Sequence, residues 1–312
     1  MRVRHLKQAA FVLLSCALVL GAAEWIPARE APPQAALPDV YVYEGYAVST
    51  GAGFDRKSLD YAAQKFRQLY DSYLTGNAGH IYLSVIPDKG SFTTPPEGYV
   101  PAFAQETAEA LLAQLDFVQY ADIAPGLSLA DYYRTDPHWR QECLIATAQT
   151  LARDMGVPPA GDFRENTVDV PFYGTYADKA EEPLAADTLR YLTSDVLDAC
   201  TVYDYETEAQ EPLYDLSAVD TKTPYDLYLQ GSKSLLHIDS PLSATDKTLV
   251  VFRDSFGSSL IPLLAESYRT VYAVDIRYLS SDLLGRFVDF PADADVLLLY
   301  STTVLHNSIT LK

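Results

Sequence analysis

The fold is decided by three short apolar runs near the C-terminus: TLVVF at residues 248–252, TVYAV at 270–274 and VLLLY at 296–300. Such runs are typical of buried strands, and residues 258–267 and 281–287 between them are predicted to be helices. Alternating strands and helices form parallel sheets with right-handed crossovers. The sequence therefore predicts an α/β fold, a parallel sheet flanked by helices, with ligands bound at the carboxyl ends of its strands.

Further elements are predicted on the N-terminal side of these runs. They are a helix over residues 58–74, a buried strand over 81–87, a helix over 102–115, a short strand or turn over 117–123 and a helix over 137–155. Gly156 and the prolines after it end the last helix. Helices that alternate with strands again favour a sheet covered by helices, so we assign residues 40–312 to one domain.

An insertion is predicted to interrupt this domain at about residues 158–244. Long helical patterns disappear there and tyrosines become frequent. Aromatic and β-branched residues are too dense for a disordered linker. We predict a β-rich, tyrosine-rich insertion, which is a candidate carrier of substrate specificity.

The first 23 residues have the pattern of an export signal. Basic residues precede an apolar run from Ala9 to Ala23. The run is shorter than the roughly 20 residues of a spanning helix, which favours a cleaved signal peptide, whereas Trp25 at its end favours a retained membrane anchor. Residues 24–39 read as a proline-rich linker. Under either interpretation the folded part is extracytoplasmic, secreted or membrane-anchored.

Charge and cysteine content exclude several function classes. The formal net charge of −19 repels polyanions, so we expect no nucleic-acid partner. Beyond the N-terminal segment only Cys143 and Cys200 remain, and they could pair as a disulfide or stay as free thiols. There is no CxxC, no HExxH and no paired Cys/His cluster, so we predict no structural zinc.

A candidate nucleophile lies directly after the first of the three strands. Ser255 in RDSFG (253–257) lies between the end of this strand and the start of the next helix. The carboxyl ends of the strands are where α/β proteins expose reactive groups. The backbone N–H groups of Ser255, Phe256 and Gly257 are candidate donors to an oxyanion. The alternative is that Asp254 or Ser255 is an ordinary helix N-cap.

A candidate base and its orienting acid lie in DPHW (136–139). The residue before a proline favours extended geometry, so Asp136 and His138 point the same way and can hydrogen-bond. A serine hydroxyl needs an imidazole to take its proton, and the imidazole needs a group that fixes its tautomer. The alternative makes Asp136 the N-cap of a helix with Pro137 at its first position, which leaves His138 exposed.

Three other residues are weaker candidates. His306 follows the last strand and is the rival base. Arg277 follows the second strand and is a candidate bidentate support, with an ordinary ion pair to Asp275 or Asp282 as the alternative. Asn307 is a candidate oxyanion donor.

These motifs resemble the DHHW proteins, which are similar to the alginate O-acetyltransferases of the SGNH-hydrolase-like group. The resemblance rests on DPHW, on the strand and turn leading into the helix at residues 253–268, on VDIRY (274–278) and on PDK (87–89). It covers roughly residues 55–156 and 245–305. One departure is Pro137, which replaces the first histidine of the family's name, and the oxyanion glycine and asparagine blocks of SGNH enzymes are not identifiable.

The resemblance implies an SGNH-like fold with Ser255 as nucleophile, His138 as base and Asp136 as orienting acid. It implies acyl transfer without a metal or a cofactor, most simply O-acetylation of an extracellular polysaccharide, with a membrane-bound O-acyltransferase as acetyl donor. Two alternatives remain. The same triad serves a carbohydrate acetyl esterase, and a catalytically silent glycan-binding or assembly protein would use these residues as caps.

Overall fold

The computed structural model describes residues 39–51, 53–159 and 161–312. The predicted signal or anchor and nearly all of the linker lie outside the described residues. Within them, no helix is both long and apolar enough to span a bilayer. The described residues all belong to one unit of the chain.

Strands in the described part of the chain fall into three sheets. In chain order they are β1 (Val40–Tyr43), β2 (Tyr46–Ser49), β3 (Ile81–Ile86), β4 (Gln119–Tyr120), β5 (Arg164–Phe172), β6 (Asp187–Thr193), β7 (Thr201–Asp204), β8 (Ala209–Glu211), β9 (Leu235–Asp239), β10 (Thr248–Arg253), β11 (Thr270–Val274) and β12 (Asp295–Ser301).

The helices are short, and all but the last lie between strands. They are α1 (Arg56–Leu69), α2 (Ala104–Leu112), α3 (Ile145–Asp154), α4 (Asp195–Asp198), α5 (Gly257–Leu264) and α6 (Thr302–Leu305). A π-helical turn, Tyr70–Leu74, extends α1, and 3₁₀ turns lie at Thr75–Asn77, Lys89–Phe92, Ala124–Gly126, Leu129–Asp131, Gln141–Cys143, Leu216–Asp220, Pro224–Leu227, Ser281–Arg286 and Ser308–Thr310.

The central sheet confirms the α/β prediction. Its eight strands lie in the order β4-β3-β12-β10-β11-β9-β7-β8. The pairs from β4 to β11 are parallel. The predicted order of elements occurs as β10, α5, β11 and β12, but the second helix, predicted over residues 281–287, is a 3₁₀ turn over Ser281–Arg286. The sheet is mixed rather than purely parallel, because β9, β7 and β8 pair in antiparallel orientation.

Both faces of this sheet are covered. Along β10, Leu249 and Val251 face a core that contains residues of α3 and α5. Val250 and Phe252 face the opposite core, built with α1 and α2. Strands buried on both faces are continuously apolar, and burial of each large side chain contributes about 1.5–3 kcal/mol. The sheet is thereby a rigid support for the loops at its edge.

The predicted helix over residues 137–155 is wrong in its first half, because α3 begins only at Ile145. The N–H of Tyr133 donates to the carbonyl of His138 at 3.0 Å, and the N–H of Arg140 donates to the carbonyl of Asp131 at 2.7 Å. Residues 131–140 therefore form a tight loop, which we call the DPHW loop. Asp136 is not the N-cap of a helix.

The tyrosine-rich segment is β-rich, as predicted. Strands β5 and β6 form a separate antiparallel pair, and a small core of aromatic and aliphatic residues packs beneath them. The later strands of the segment extend the central sheet, since β9 pairs with β11. The segment thus contributes both to the sheet and to the surroundings of the DPHW loop.

Candidate active site

Ser255 lies in the turn between β10 and α5, at the carboxyl end of a central strand. The carboxylate of Asp254 holds this turn: it accepts the N–H of Phe256 at 3.0 Å and the N–H of Ser301, at the end of β12, at 2.8 Å. Asp254 is buried, whereas Ser255 is partly exposed. The turn therefore presents the serine hydroxyl from a fixed backbone.

The structure brings three of the predicted residues into one hydrogen-bonded series. The Nε2 atom of His138 lies 2.8 Å from Oγ of Ser255, and Nδ1 lies 2.5 Å from Oδ1 of Asp136. An ionised carboxylate only accepts, so Nδ1 carries the proton and Nε2 is left to accept the serine hydroxyl. This is the arrangement in which an imidazole can take a proton from a nucleophile.

Asp136 is buried and bonded on both oxygens. Its Oδ2 accepts the N–H of Thr175 at 3.0 Å. Burial alone would raise the pKa of Asp136, but the interaction with His138 and the hydrogen bonds from His138 and Thr175 hold it below its ordinary value. The carboxylate is thus ionised at neutral pH and able to orient the imidazole.

Strand β6 positions the backbone that carries Asp136. The carboxylate of Asp187 accepts the N–H groups of Arg134 and Thr135, each at 2.8 Å. Gly174 packs against Asp136 so closely that an added Cβ would lie 2.2 Å from the Asp136 Cβ. The insertion therefore holds the acid from two sides.

Tyr225 supports the imidazole by stacking. Its ring centroid lies 3.9 Å from that of His138, with 9° between the ring planes. Its hydroxyl bonds to Oγ of Ser259 at 2.8 Å. Nothing in the local sequence singles out Tyr225, because it lies 87 positions after His138 and the contact exists only in the folded chain.

Trp139 joins the DPHW loop to α5. Its indole Nε1 donates to the carbonyl of Phe256 at 3.0 Å and to Oγ of Ser259 at 2.9 Å, and the side chain is fully buried. A buried indole N–H needs such partners. The tryptophan after the histidine therefore fixes the distance between the two motifs.

Of the three predicted oxyanion donors, two are bonded inside the turn. The N–H of Phe256 donates to Asp254 Oδ1, and the N–H of Gly257 donates to the carbonyl of Asp254 at 3.1 Å. Among the described residues, no acceptor pairs with the N–H of Ser255. Gly257 serves close packing, because a Cβ there would lie 2.8 Å from Cβ of Arg253.

The remaining candidates have other partners. Arg277 binds the carboxylate of Asp275 through Nε at 2.9 Å and NH2 at 2.6 Å, which is the ion-pair alternative. Asn307 is exposed beyond α6, and no hydrogen bond of its side chain occurs within the described ranges. Neither residue contacts Ser255 through a hydrogen bond.

The rival base, His306, is bound on both nitrogens. Its Nδ1 accepts the N–H of Asp55 at 3.0 Å, and its Nε2 bonds to Oγ1 of Thr107 at 2.8 Å. Burial lowers the pKa of His306. These bonds connect the segment after β12 to the starts of α1 and α2, so His306 has a structural role.

A polar pocket lies beside the DPHW loop and is lined in part by Asp88, Lys89, Pro137, Tyr176 and Thr303. Burial lowers the pKa of Lys89 to about 7, and its amine donates to the carbonyl of Tyr133 at 3.0 Å. Burial raises the pKa of Asp88 to about 6, against the effect of the Thr302 and Thr303 hydroxyls that donate to it. The pocket thus presents hydrogen-bond donors and acceptors beside the DPHW loop.

In residues 39–51, 53–159 and 161–312, no group of three or more His, Cys, Asp or Glu side chains is arranged to hold an ion. Cys143 and Cys200 are both free thiols.

Known proteins of the same fold are found by structure and not by sequence. No protein-family model and no curated protein matches the chain. A DHHW family protein from Eubacterium siraeum superposes with a TM-score of 0.65 at 18% identity, over 85% of this chain and 90% of its own. Bacillus cereus PatB1 with a sulfonyl adduct superposes with a TM-score of 0.64 at 16% identity, over 85% of this chain and 95% of its own.

A third structure, the O-acetyltransferase domain of Pseudomonas putida AlgJ, gives a TM-score of 0.50 at 16% identity, over 86% of this chain and 93% of that domain. At such identities the likeness establishes the fold alone. The fold expected from the resemblance to DHHW and alginate O-acetyltransferase-like proteins is therefore confirmed.

Proposed function

We propose that this chain is a serine-dependent acyl-transfer enzyme that O-acetylates a polysaccharide. The observation that supports the proposal most directly is the hydrogen-bonded series Asp136, His138 and Ser255 at the carboxyl end of a central strand. The shared fold with PatB1 and with the O-acetyltransferase domain of AlgJ is consistent with this activity.

The first half-reaction transfers acetyl to the enzyme. Oγ of Ser255 attacks the carbonyl carbon of an acetyl ester while its proton passes to Nε2 of His138. The carbonyl oxygen becomes an oxyanion beside the free N–H of Ser255. The intermediate collapses, the alkoxide of the donor leaves and takes the proton from His138, and an acetyl ester remains on Ser255.

The second half-reaction releases the acetyl group. A sugar hydroxyl gives its proton to His138 and attacks the acetyl-serine, and the returning proton restores the Ser255 hydroxyl. Asp136 keeps the imidazole in the same tautomer and stabilises its charged form in both steps. Water in place of the sugar would make the enzyme an acetyl esterase, so the acceptor decides between the two activities.

We also propose an extracytoplasmic location, secreted or anchored through residues 1–23, and a membrane-bound O-acyltransferase as the source of acetyl groups. The basic and apolar pattern of the N-terminus supports export. An exported enzyme without access to cytoplasmic acetyl carriers needs a partner that delivers the group across the membrane.

The test uses a fluorophosphonate probe and turnover of 4-nitrophenyl acetate. Wild-type protein should be labelled at Ser255 and release 4-nitrophenol, and Ser255→Ala should lose labelling and at least roughly 10³-fold of the turnover. Ser217→Ala, an exposed serine in the turn Leu216–Asp220, is the matched control and should keep both.

Product analysis then distinguishes a transferase from an esterase. Acetylated oligosaccharide formed in the presence of an acceptor supports a transferase, and acetate alone supports an esterase. Wild-type protein that is neither labelled nor active contradicts both and leaves a glycan-binding protein.

A further inference from the structure

Arg253, the residue two positions before the nucleophile, is the least expected charge in the structure. Its side chain is completely buried at the end of β10. Arginine stays protonated in proteins, and burial of a charge is costly unless it is paired. The nearby carboxylates are committed elsewhere: that of Asp275 binds Arg277, and that of Asp254 binds two backbone N–H groups.

The guanidinium is held by neutral oxygen atoms instead. Its NH2 donates to the carbonyls of Gly231 and Lys233 at 3.2 and 3.3 Å. Its NH1 donates to Oγ of Ser258 at 3.1 Å and, at 3.4 Å, to the carbonyl of Asp254. Within the described residues its Nε has no partner. The charge is therefore neutralised by no ion pair and acts on the dipoles around it.

One of those dipoles belongs to the nucleophile. The carbonyl of Asp254 and the N–H of Ser255 are the two ends of one peptide group, so their dipole is shared. Two donors bind the carbonyl end, Arg253 and the N–H of Gly257. The other end, the N–H of Ser255, has no acceptor among the described residues and lies at the reacting hydroxyl.

We propose that Arg253 is a positioning residue that polarises the Asp254–Ser255 peptide, so that the N–H of Ser255 becomes a stronger donor to the oxyanion. This rests on the proposed serine mechanism. A cation at the carbonyl end draws electron density away from the N–H end, and hydrogen bonds in series strengthen one another. In a dry site such preorganised dipoles stabilise charge that appears only in the transition state.

Gly257 makes room for the side chain of Arg253. Its missing side chain lets the stem of Arg253 lie against the start of α5, since a Cβ there would meet the Arg253 Cβ, Cγ and Cδ at 2.8, 3.2 and 3.3 Å. The glycine N–H meanwhile supplies the second bond to the Asp254 carbonyl. The RDSFG motif thus encodes the nucleophile and the electrostatics of its own backbone together.

The test compares Arg253→Met, Arg253→Gln and Arg253→Lys in the full chain with Arg286→Met as the matched control, because Arg286 is an exposed arginine in the turn Ser281–Arg286. Three quantities are measured: kcat and KM for 4-nitrophenyl acetate, and Ki for phenylboronic acid, which forms a tetrahedral anion on an active serine. Thermal unfolding reports whether each variant is folded.

Loss of a whole oxyanion donor costs about 10²–10³-fold, so weakening one should cost less. We expect Arg253→Met and Arg253→Gln to lower kcat about 10- to 100-fold with KM nearly unchanged, and to weaken the binding of phenylboronic acid by a similar factor. Arg253→Lys should recover most of both losses, because it keeps the charge, and Arg286→Met should stay within about threefold of wild type.

Three results would overturn the inference: neutral variants as active as wild type, lower kcat without weaker phenylboronic acid binding, or Lys no better than Met. If neither neutral variant folds, Arg253→Lys decides the question. The inference requires that any loss of kcat in this variant is accompanied by weaker binding of phenylboronic acid. Absence of turnover and labelling in wild type would refute the serine mechanism itself, which is a different outcome.

Discussion

The imidazole of His138 is fixed in three ways: by a bond at each nitrogen and by the ring of Tyr225 against its face. The two bonds set its tautomer and direction, whereas the stack prevents the ring from tilting out of line. Aromatic pairs contribute about 0.5–1.5 kcal/mol beyond the area they bury. The tyrosine ring, more than its hydroxyl, should matter for catalysis.

We therefore expect Tyr225→Leu to lower kcat/KM for an acetyl ester about tenfold, and Tyr225→Phe to stay within about threefold of wild type, since 1.4 kcal/mol corresponds to tenfold in rate. Phe keeps the stack and loses only the bond to Ser259. Equal losses in the two variants would show that the hydroxyl, and not the stack, supports His138.

Asp88 makes stability depend on pH. Its pKa is raised from 3.8 to about 6 by burial, so the folded protein binds this proton more tightly than the unfolded chain does. Stability therefore falls as pH rises through the window from about 4 to about 6, and the penalty is complete above it. Asp88→Asn removes the titration.

Asp88→Asn should accordingly gain stability relative to wild type between pH 4 and pH 7, by up to about 3 kcal/mol at one pKa unit per 1.36 kcal/mol. Urea unfolding at the two pH values measures it. Asp169→Asn, an exposed carboxylate of β5, is the control and should show no such change. A pH-independent difference between Asp88→Asn and wild type would contradict the assignment.

At the scale of elements, the DPHW loop depends on contact with the insertion. Gly174 lies so close to Asp136 that an added Cβ would meet its Cβ, Oδ2 and Cα at 2.2, 2.5 and 2.7 Å. No backbone strain is involved, since Gly174 does not have a positive φ angle. Contact alone requires the glycine.

Gly174→Ala should displace Asp136 and lower kcat/KM by about 10²-fold or more, because misplacement by about 1 Å can cost that much. Gly126→Ala is the matched control: it is exposed, and a Cβ there meets nothing within 4 Å. Full activity in Gly174→Ala would mean that the loop yields and that its rigidity is not needed.

The elements differ in how far the sequence predicts them. The strands β10, β11 and β12 are runs of large aliphatic residues, so their pattern identifies them without tertiary information. The helix predicted from Pro137 onward fails because Asp and Pro are good helix starters locally, while the burial of Trp139 and the bonds across the DPHW loop favour another conformation.

The site shows the same division. Asp136, His138 and Ser255 are named from sequence because their neighbours along the chain restrict them. Thr175, Asp187 and Tyr225 are not, because each supports the site from a different strand or loop of the insertion and its role arises from pairing in the folded chain. The antiparallel strand β9 is predicted only as part of a β-rich segment, because the five residues of one strand carry little information about its partner in the sheet.

At the scale of the whole molecule, charge should select among acceptors. The net charge of −19 raises a barrier to anionic polysaccharides that salt screens, since the Debye length falls from about 10 Å at 0.1 M to about 3 Å at 1 M. We expect kcat/KM for acetylation of an oligomannuronate to rise several-fold between these concentrations, and that for a neutral cello-oligosaccharide to stay constant. A decrease with salt for the oligomannuronate would indicate a local cationic binding surface.

The position of β12 in the sheet has a consequence for how the chain folds. β12 is the last strand in sequence, yet it lies between β3 and β10, and at its start Asp295 bonds to His80, 215 residues earlier. Contacts of such sequence separation require large loops to close first, which slows folding. The sheet can be completed only after β12 has been synthesised, so β3 leaves the ribosome long before the strand that joins it to β10.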